Sequence, residues 1–379
     1  MLPTDTDLRA ALRRRGISRR DFLGFCASMA GILALPPQYT GQISRALQQA
    51  TKPVMVWLEF QDCAGNTESM LRSSHPDIVD LVLDTLSLEY HETIMAGAGA
   101  QAEAALQRVV SQEKGKYLVV VEGSIPTADG GVYCTIGGRT ALDIAREVCG
   151  GAAAVLAVGA CAWDGGIPSA GPNPTGAVGI QTAVPGINVV NLGGCPHNAV
   201  NTAAVLVHYL TFNELPALDS YNRPLFAYGN LIHDQCERRA HFDAGRFVEV
   251  WGDEGHRKGW CLYKMGCKGP ATDYNCPRVQ WNDGTSWPVK AGHGCIGCAG
   301  PRFWDAMDPF YGRLPNVPGF GADITAGQIG LGVTAATAVA FGLHGVGSAI
   351  RARIRPEEVT APETTGPAVS DAQAPLEEE

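Results

Sequence analysis

Short apolar runs punctuate the first half of the chain. VMVWLEF (54–60), KYLVVVEG (116–123), AAVLAVGAC (153–161) and INVVNLGGC (187–195) are rich in aliphatic residues, and each ends in a turn of small or polar residues. Runs of that length and composition predict buried strands. Between them, DIVDLVLDTLS (77–87) and AEAALQRVVSQEK (102–114) repeat their apolar positions at helical spacing. The alternation predicts an α/β fold, a parallel sheet with helices on both faces. Ligands of such sheets gather outside the carboxyl ends of the strands. Three of the strand ends carry a cysteine, Cys63, Cys161 and Cys195. Packing alone does not explain that convergence.

After about Tyr221 the alternation stops. The stretch to roughly Phe320 is rich in Gly, Pro, Trp, Cys and His and poor in aliphatic runs. Such a region needs another source of order, and metal binding can supply it as folding energy. The two ends have patterns of their own. Twin arginines, Arg19 and Arg20, precede an uncharged apolar run from Phe22 to Leu35. That run is too short to span a bilayer and has the form of a twin-arginine export signal, with a basic amphipathic helix start as the competing reading. Ile324 to Ile350 carries no charge and then meets Arg351, Arg353 and Arg355. At ~1.5 Å per residue, a helix over this stretch can cross a ~30 Å hydrocarbon core. If it spans, the arginines stay cytoplasmic and the main body lies on the outer face. A helix packed on a partner protein is the alternative.

Composition narrows the classes. Net charge is −9 over 379 residues, which argues against a nucleic-acid binder with a broad basic face. Part of that charge is local: 356–379 holds seven acidic residues and no basic one, and reads as a solvated, disordered tail. Of the 12 cysteines, seven fall between Cys195 and Cys298.

Those cysteines fall into groups. His233 and Cys236 form a His-x-x-Cys, followed by Cys261 and Cys267; Cys276 stands alone, and Cys295 with Cys298 closes the set in GHGCIGCAG. A Cys-x-x-Cys by itself serves zinc, a disulfide or an iron–sulfur cluster. Cys3His is a legitimate structural zinc set, but three remaining cysteines fall short of the four ligands structural zinc takes. A three-cysteine group suits a cluster lacking one iron better.

The motifs WLEFQDCAGNTES, EGSIPTADGGVYCTIGG, GACAWDGGI with PNPTGA, NLGGCPHN, IHDQCERR, GCKGP, YNCPRVQWN and WPVKAGHGCIGC, in order from about Val54 to Trp304, resemble the small subunit of a nickel–iron hydrogenase of the uptake type. The resemblance implies a twin-arginine signal-like segment at 1–50 and a flavodoxin-like domain at 51–220. An irregular cluster-binding domain at 221–322, an anchor or partner-contacting helix at 323–355 and the tail at 356–379 would follow. It also implies three iron–sulfur centres: a distal [4Fe-4S] cluster on His233, Cys236, Cys261 and Cys267, a medial [3Fe-4S] cluster on Cys276, Cys295 and Cys298, and a proximal [4Fe-4S] cluster on Cys63, Cys161 and Cys195. The implied partners are a large subunit holding the nickel–iron site, a membrane cytochrome or quinone-linked electron acceptor, and a second heterodimer.

The chain departs from the family at the first motif. Most relatives have Cys-x-x-Cys there, whereas this chain has Cys63-Ala64-Gly65-Asn66. It resembles in this the actinobacterial-type high-affinity enzymes, where an aspartate completes a three-cysteine set. Asp62 is the expected fourth ligand, with Asn66 and Asp164 as alternatives; carboxylate is a harder donor than thiolate. Cys134, Cys149 and Cys26 are expected to be small buried hydrophobes, His344 a packing residue and Glu68 an exposed first-turn glutamate. The competing functions are the cluster-bearing subunit of a quinone oxidoreductase of the respiratory complex I type, which would lack the region after Tyr221, and a structural zinc protein without redox activity.

Overall fold

The computed structural model describes residues 18–49, 52–72, 86–282, 284–314 and 326–354. The helical pattern at 77–87 lies almost wholly outside these residues, as do the acidic tail and Arg355. Residues up to 325 form one unit and those from Ala326 another.

Five strands build the central sheet: β1 (Val54–Glu59), β2 (Ser87–His91), β3 (Leu118–Glu122), β4 (Ala154–Val158) and β5 (Val189–Leu192). Their order is β2-β1-β3-β4-β5, every pairing is parallel, and the β1–β2 register shifts between Met55 and Val56. This is the flavodoxin-like order, with its crevice where the connections reverse direction. Side chains alternate across the pleat. Met55, Trp57, Leu118, Val120, Leu156 and Leu192 fill the core on one face, while Val56, Leu58, Val119, Val121, Val155 and Val189 fill the other. Both faces are therefore covered, as a parallel sheet requires.

The face containing Trp57 is covered by α1 (Arg19–Ile32), α2 (Tyr39–Gln49) and α7, which runs from Ala199 to Phe212. The other is covered by α4 (Ala100–Gln112) and α5 (Ala141–Gly150). Helix α1 is the apolar run behind the twin arginines. Ser18 and Asp21 close a capping box at its start, satisfying backbone donors that no helical partner reaches. Phe22, Phe25, Cys26, Met29 and Ala30, all at most 3 % exposed, recur at helical spacing on one face. Tyr39 of α2 meets Phe212 of α7 edge to face at 5.8 Å. The run that reads as an export signal is thus part of the hydrophobic core.

Two short helices remain beside the strand ends: α3 (Gly65–Leu71) after β1 and α6 (Gly159–Asp164) after β4. Between Tyr221 and Leu314 the described residues form short helical turns and isolated bridges, and Tyr274, Trp287 and Val289 join the same core as β5. The second unit is α8 (Ala326–Ile354), whose Gly330–Arg351 stretch is long and apolar enough to cross a membrane, at mean hydropathy 1.5.

Candidate metal centres

Three strand ends deliver three thiols to one rim. Cys63 lies in the turn after β1, where Ala64 adopts φ 54° before α3 begins. Cys161 sits in the first turn of α6, immediately after β4. Cys195 follows β5, three residues before Asn198, which caps α7 by accepting from Val200 N at 3.0 Å. Burial pushes the Cys161 thiol up to about 12, with Cys195 and Cys63 close enough to add to it. The Cys195 thiol rises to about 11, through burial first and then Cys298 and Cys63. Thiols that the protein alone keeps protonated, as it does Cys161 and Cys195, suit a cationic core, because metal coordination removes the proton outright. Room is left for it: at Gly166 (φ +52°) a Cβ would stand 2.8 Å from Cys161 Sγ.

Asn66 occupies the position of the missing cysteine and is fully engaged elsewhere. Its Oδ1 accepts from His197 N at 2.8 Å and lies 3.0 Å from His197 Nδ1, and its Nδ2 donates to Glu122 Oε1 at 3.2 Å. Gly159 (φ +84°) makes space for that amide, since a Cβ there would come within 2.5 Å of Asn66 Oδ1. Glu122 is completely buried and also accepts from Asn66 N (2.8 Å), Thr67 N (2.9 Å), Thr67 Oγ1 (2.7 Å) and Trp57 Nε1 (3.3 Å). Asp164 is engaged too: Oδ2 accepts from Arg302 N at 2.5 Å and Oδ1 from Gly166 N at 3.1 Å. Asp62 differs from both. Its Oδ1 accepts from Ala64 N at 3.2 Å, and among the described residues its other oxygen has no hydrogen bond. Asp62 is exposed on this chain, yet partial desolvation and then the Glu122 carboxylate push its carboxyl up to about 7, and Glu59 adds to the shift. Ligand oxygens of Glu59, Asp62 and Glu122 lie within 4.8 Å of one another.

The Cys/His set of the second region separates into two cavities. His233, Cys236, Cys261 and Cys267 line one. Cys276, Cys295 and Cys298 line another, walled by Tyr274, Trp281, Trp287 and Pro288. Burial holds the His233 imidazole down at about 4, helped by the Arg239 charge, so it is neutral and able to ligate. Burial raises Cys236 to about 11 and Cys261 to about 12. Backbone amides aim at the sulfurs: Arg238 N donates to Cys236 Sγ (3.4 Å), Gly297 N to Cys295 Sγ (3.3 Å) and Cys295 N to Cys267 Sγ (3.3 Å). Such N–H···S bonds are a standard means of setting cluster potentials. Donor identity, neutral imidazole, thiols facing a shared space and sulfur-directed amides all fit iron–sulfur clusters. All twelve cysteines are free thiols. Cys26 and Cys149 are buried and Cys134 half-buried, as expected, and Glu68 is exposed.

Several site residues escaped the sequence reading. Glu59, Glu122 and His197 are buried polar groups inside strands or turns, and Lys268 and Arg223 are buried cations. Arg223 bonds Asp219 (2.8 Å) and Ala299 O (3.0 Å), tying the first region to the second. A signal existed only for Lys268 and His197, which stand beside ligand cysteines in GCKGP and GGCPHN.

The family of NiFe/NiFeSe hydrogenase small subunits, C-terminal part, matches residues 228–311, and the family of the NADH ubiquinone oxidoreductase 20 kDa subunit matches residues 63–209. The chain is 46 % identical, over 88 % of its length and 97 % of the relative, to the quinone-reactive Ni/Fe-hydrogenase small chain of Wolinella succinogenes. It is 49 % identical to the periplasmic [NiFe] hydrogenase small subunit 1 of Nitratidesulfovibrio vulgaris, over 79 % of this chain and 95 % of that one. Among solved structures, a reduced, active Ni-Fe-Se hydrogenase from Desulfomicrobium baculatum superposes at TM-score 0.65 with 33 % identity, covering 70 % of this chain and all of that one. The actinobacterial-type NiFe-hydrogenase of Ralstonia eutropha H16 shares the fold at TM-score 0.66 and 24 % identity, over 83 % of this chain and 95 % of that one.

Proposed function

Since the chain belongs to the small subunits of [NiFe] hydrogenases, we propose that its ligand sets hold three clusters in series, working beside a large subunit that carries out the hydrogen chemistry. The chain is the electron-transfer subunit of an uptake hydrogenase, an oxidoreductase. A quinone-oxidoreductase subunit related to respiratory complex I is the weaker reading, because the C-terminal hydrogenase family matches residues 228–311 as well. The observation that carries the proposal is the pair of cavities, one lined by His233 and three cysteines, the other by three cysteines.

In this reading Cys63, Cys161 and Cys195 with Asp62 hold a proximal [4Fe-4S] cluster. Cys276, Cys295 and Cys298 hold a medial [3Fe-4S] cluster, and His233, Cys236, Cys261 and Cys267 a distal [4Fe-4S] cluster. Bound iron–sulfur clusters supply one-electron storage and transfer. The chain's own residues bury the thiols, direct amides at their sulfurs and, through the Trp281 and Trp287 wall, exclude water from the middle site. His233 brings a neutral ligand where an anionic thiolate would otherwise stand.

The remaining parts follow the same reading. The domains divide near residue 220, α8 anchors the subunit in a membrane with its arginines on the cytoplasmic side, and a cytochrome or quinone-linked protein takes the electrons. Heterodimers pair, and the body faces outward after twin-arginine export. Elemental analysis of the anaerobically purified complex tests the core of this. Nickel with about a dozen irons per complex supports it; zinc without iron overturns it. Asp62→Ala tests the fourth ligand: altered proximal-cluster spectra support it, and unchanged spectra rule it out.

A further inference from the structure

Lys268 is buried at 1 % exposure in a place where a cation is expensive. It follows the distal-site Cys267 directly in the chain, and its own N–H donates to the carbonyl of the medial-site Cys295 at 2.7 Å. Cys295 N in turn donates to Cys267 Sγ at 3.3 Å. The backbone of Lys268 thus lies in the wall between the two cavities. Its side chain runs past Gly297, where a Cβ would lie 3.2 Å from Lys268 Cβ. The ammonium donates to Pro309 O at 2.7 Å and to Gly312 O. Among the described residues no carboxylate comes within ion-pair distance of it. Its chain neighbour Cys267 and its backbone partner Cys295 belong one to each ligand set, and the nearby Asp308 is exposed.

A buried ammonium without a carboxylate needs negative charge from elsewhere. Three thiolates outweigh the positive charge of an iron–sulfur core, so each loaded site carries net negative charge, and more when reduced. We propose that Lys268 is the internal counter-ion shared by the medial and distal clusters, a tuning residue that favours their reduced states and so raises their potentials. The proposal rests on the cluster assignment above. The alternative role is mechanical, a strut that ties the 309–312 segment through its two carbonyl bonds.

The experiment is an EPR-monitored redox titration of the whole heterodimer for wild type, Lys268→Gln and Lys268→Arg. Gln keeps hydrogen-bond donors for the two carbonyls but drops the charge, whereas Arg keeps the charge. At a fixed ambient potential, the oxidised-to-reduced ratio of the medial cluster should rise about tenfold in Lys268→Gln, a 59 mV lowering for one electron. It should stay near wild type in Lys268→Arg. An unmoved midpoint in a fully loaded Lys268→Gln enzyme overturns the proposal, whatever happens to its thermal stability. Absence of medial and distal signals in the wild type would instead overturn the cluster assignment. If Lys268→Gln does not load iron, the loaded Lys268→Arg heterodimer decides: a wild-type medial midpoint supports the charge role, and a midpoint lowered as far as that expected for Gln, with the charge retained, overturns it.

Discussion

Phe25→Ala asks whether the twin-arginine helix belongs to the working protein. Phe25 is 1 % exposed on α1 and joins the core that α1, α2 and α7 share on the sheet. A buried aromatic side chain removes about 150–250 Å² from water. At about 25 cal/mol per Å² that is worth about 4–6 kcal/mol, close to the roughly 3–5 kcal/mol measured for buried Phe→Ala changes. For a chain of this size a lost kcal/mol lowers the melting temperature by about 2 °C. The variant should therefore melt on the order of 5–10 °C below wild type by scanning calorimetry of the purified heterodimer. Leu23, 40 % exposed at the edge of that stripe on α1, is the control; its alanine variant should stay well inside the Phe25→Ala loss, within about 0.5 kcal/mol of wild type. Intact-mass measurement of the same preparations should show the mature subunit still carrying residues 19–32. If Phe25→Ala melts with Leu23→Ala, or the mature mass lacks α1, the burial described here is not a property of the assembled enzyme and the run acts as a detachable signal.

Other outcomes follow from the proximal site. Asn66→Cys restores Cys-x-x-Cys and should lower the proximal-cluster potential in a redox titration, because a fourth thiolate adds negative charge. It should also cost about 1–3 kcal/mol, since Glu122 and His197 lose partners in a buried place; an unchanged potential would show that a thiolate at position 66 does not reach the cluster. Glu92 is raised to about 8, by burial first and then by the Glu59 carboxylate. The folded state therefore holds a proton that the unfolded state releases above its ordinary value of 4.5. That contribution is full below about pH 4.5 and lost as pH climbs through about 8. Urea titrations of the metal-free chain should show it, Glu92→Gln should flatten the slope, and an equal slope in the variant would refute the assignment. Stripping the metal should raise hydrogen exchange most between Tyr221 and Leu314, where aliphatic runs are few; uniform protection before and after would mean the region is ordered without ligands.

The strands that feed the proximal site were legible because they are buried on both faces, so their apolar runs are unbroken. Their cysteines followed from the general rule about strand ends. β2, SLEYH, was missed: it is an edge strand with half-buried polar positions and no apolar run. Helix α1 was legible as an apolar run but not as a core helix, since a signal core and an amphipathic core helix share composition and differ only in what covers them. In the second region residue types gave the ligands away, while spacing left zinc and disulfides open. The network of Glu59, Thr67, His91 and Glu122 had no signature, because buried polar groups are specified by their partners across the fold rather than by any period along the chain.

The hydrogen bond from Cys295 N to Cys267 Sγ, with Lys268 N returning to Cys295 O, gives the two cavities a common partition. For genetic dissection of the subunit this removes independence between sites. A substitution at Cys267 strips one set of its donor and, by removing the sulfur that the Cys295 amide reaches, takes an anchor from the backbone of the neighbouring set. Phenotypes of single-ligand mutants in this stretch therefore report on the pair, and only double-mutant comparisons can apportion them.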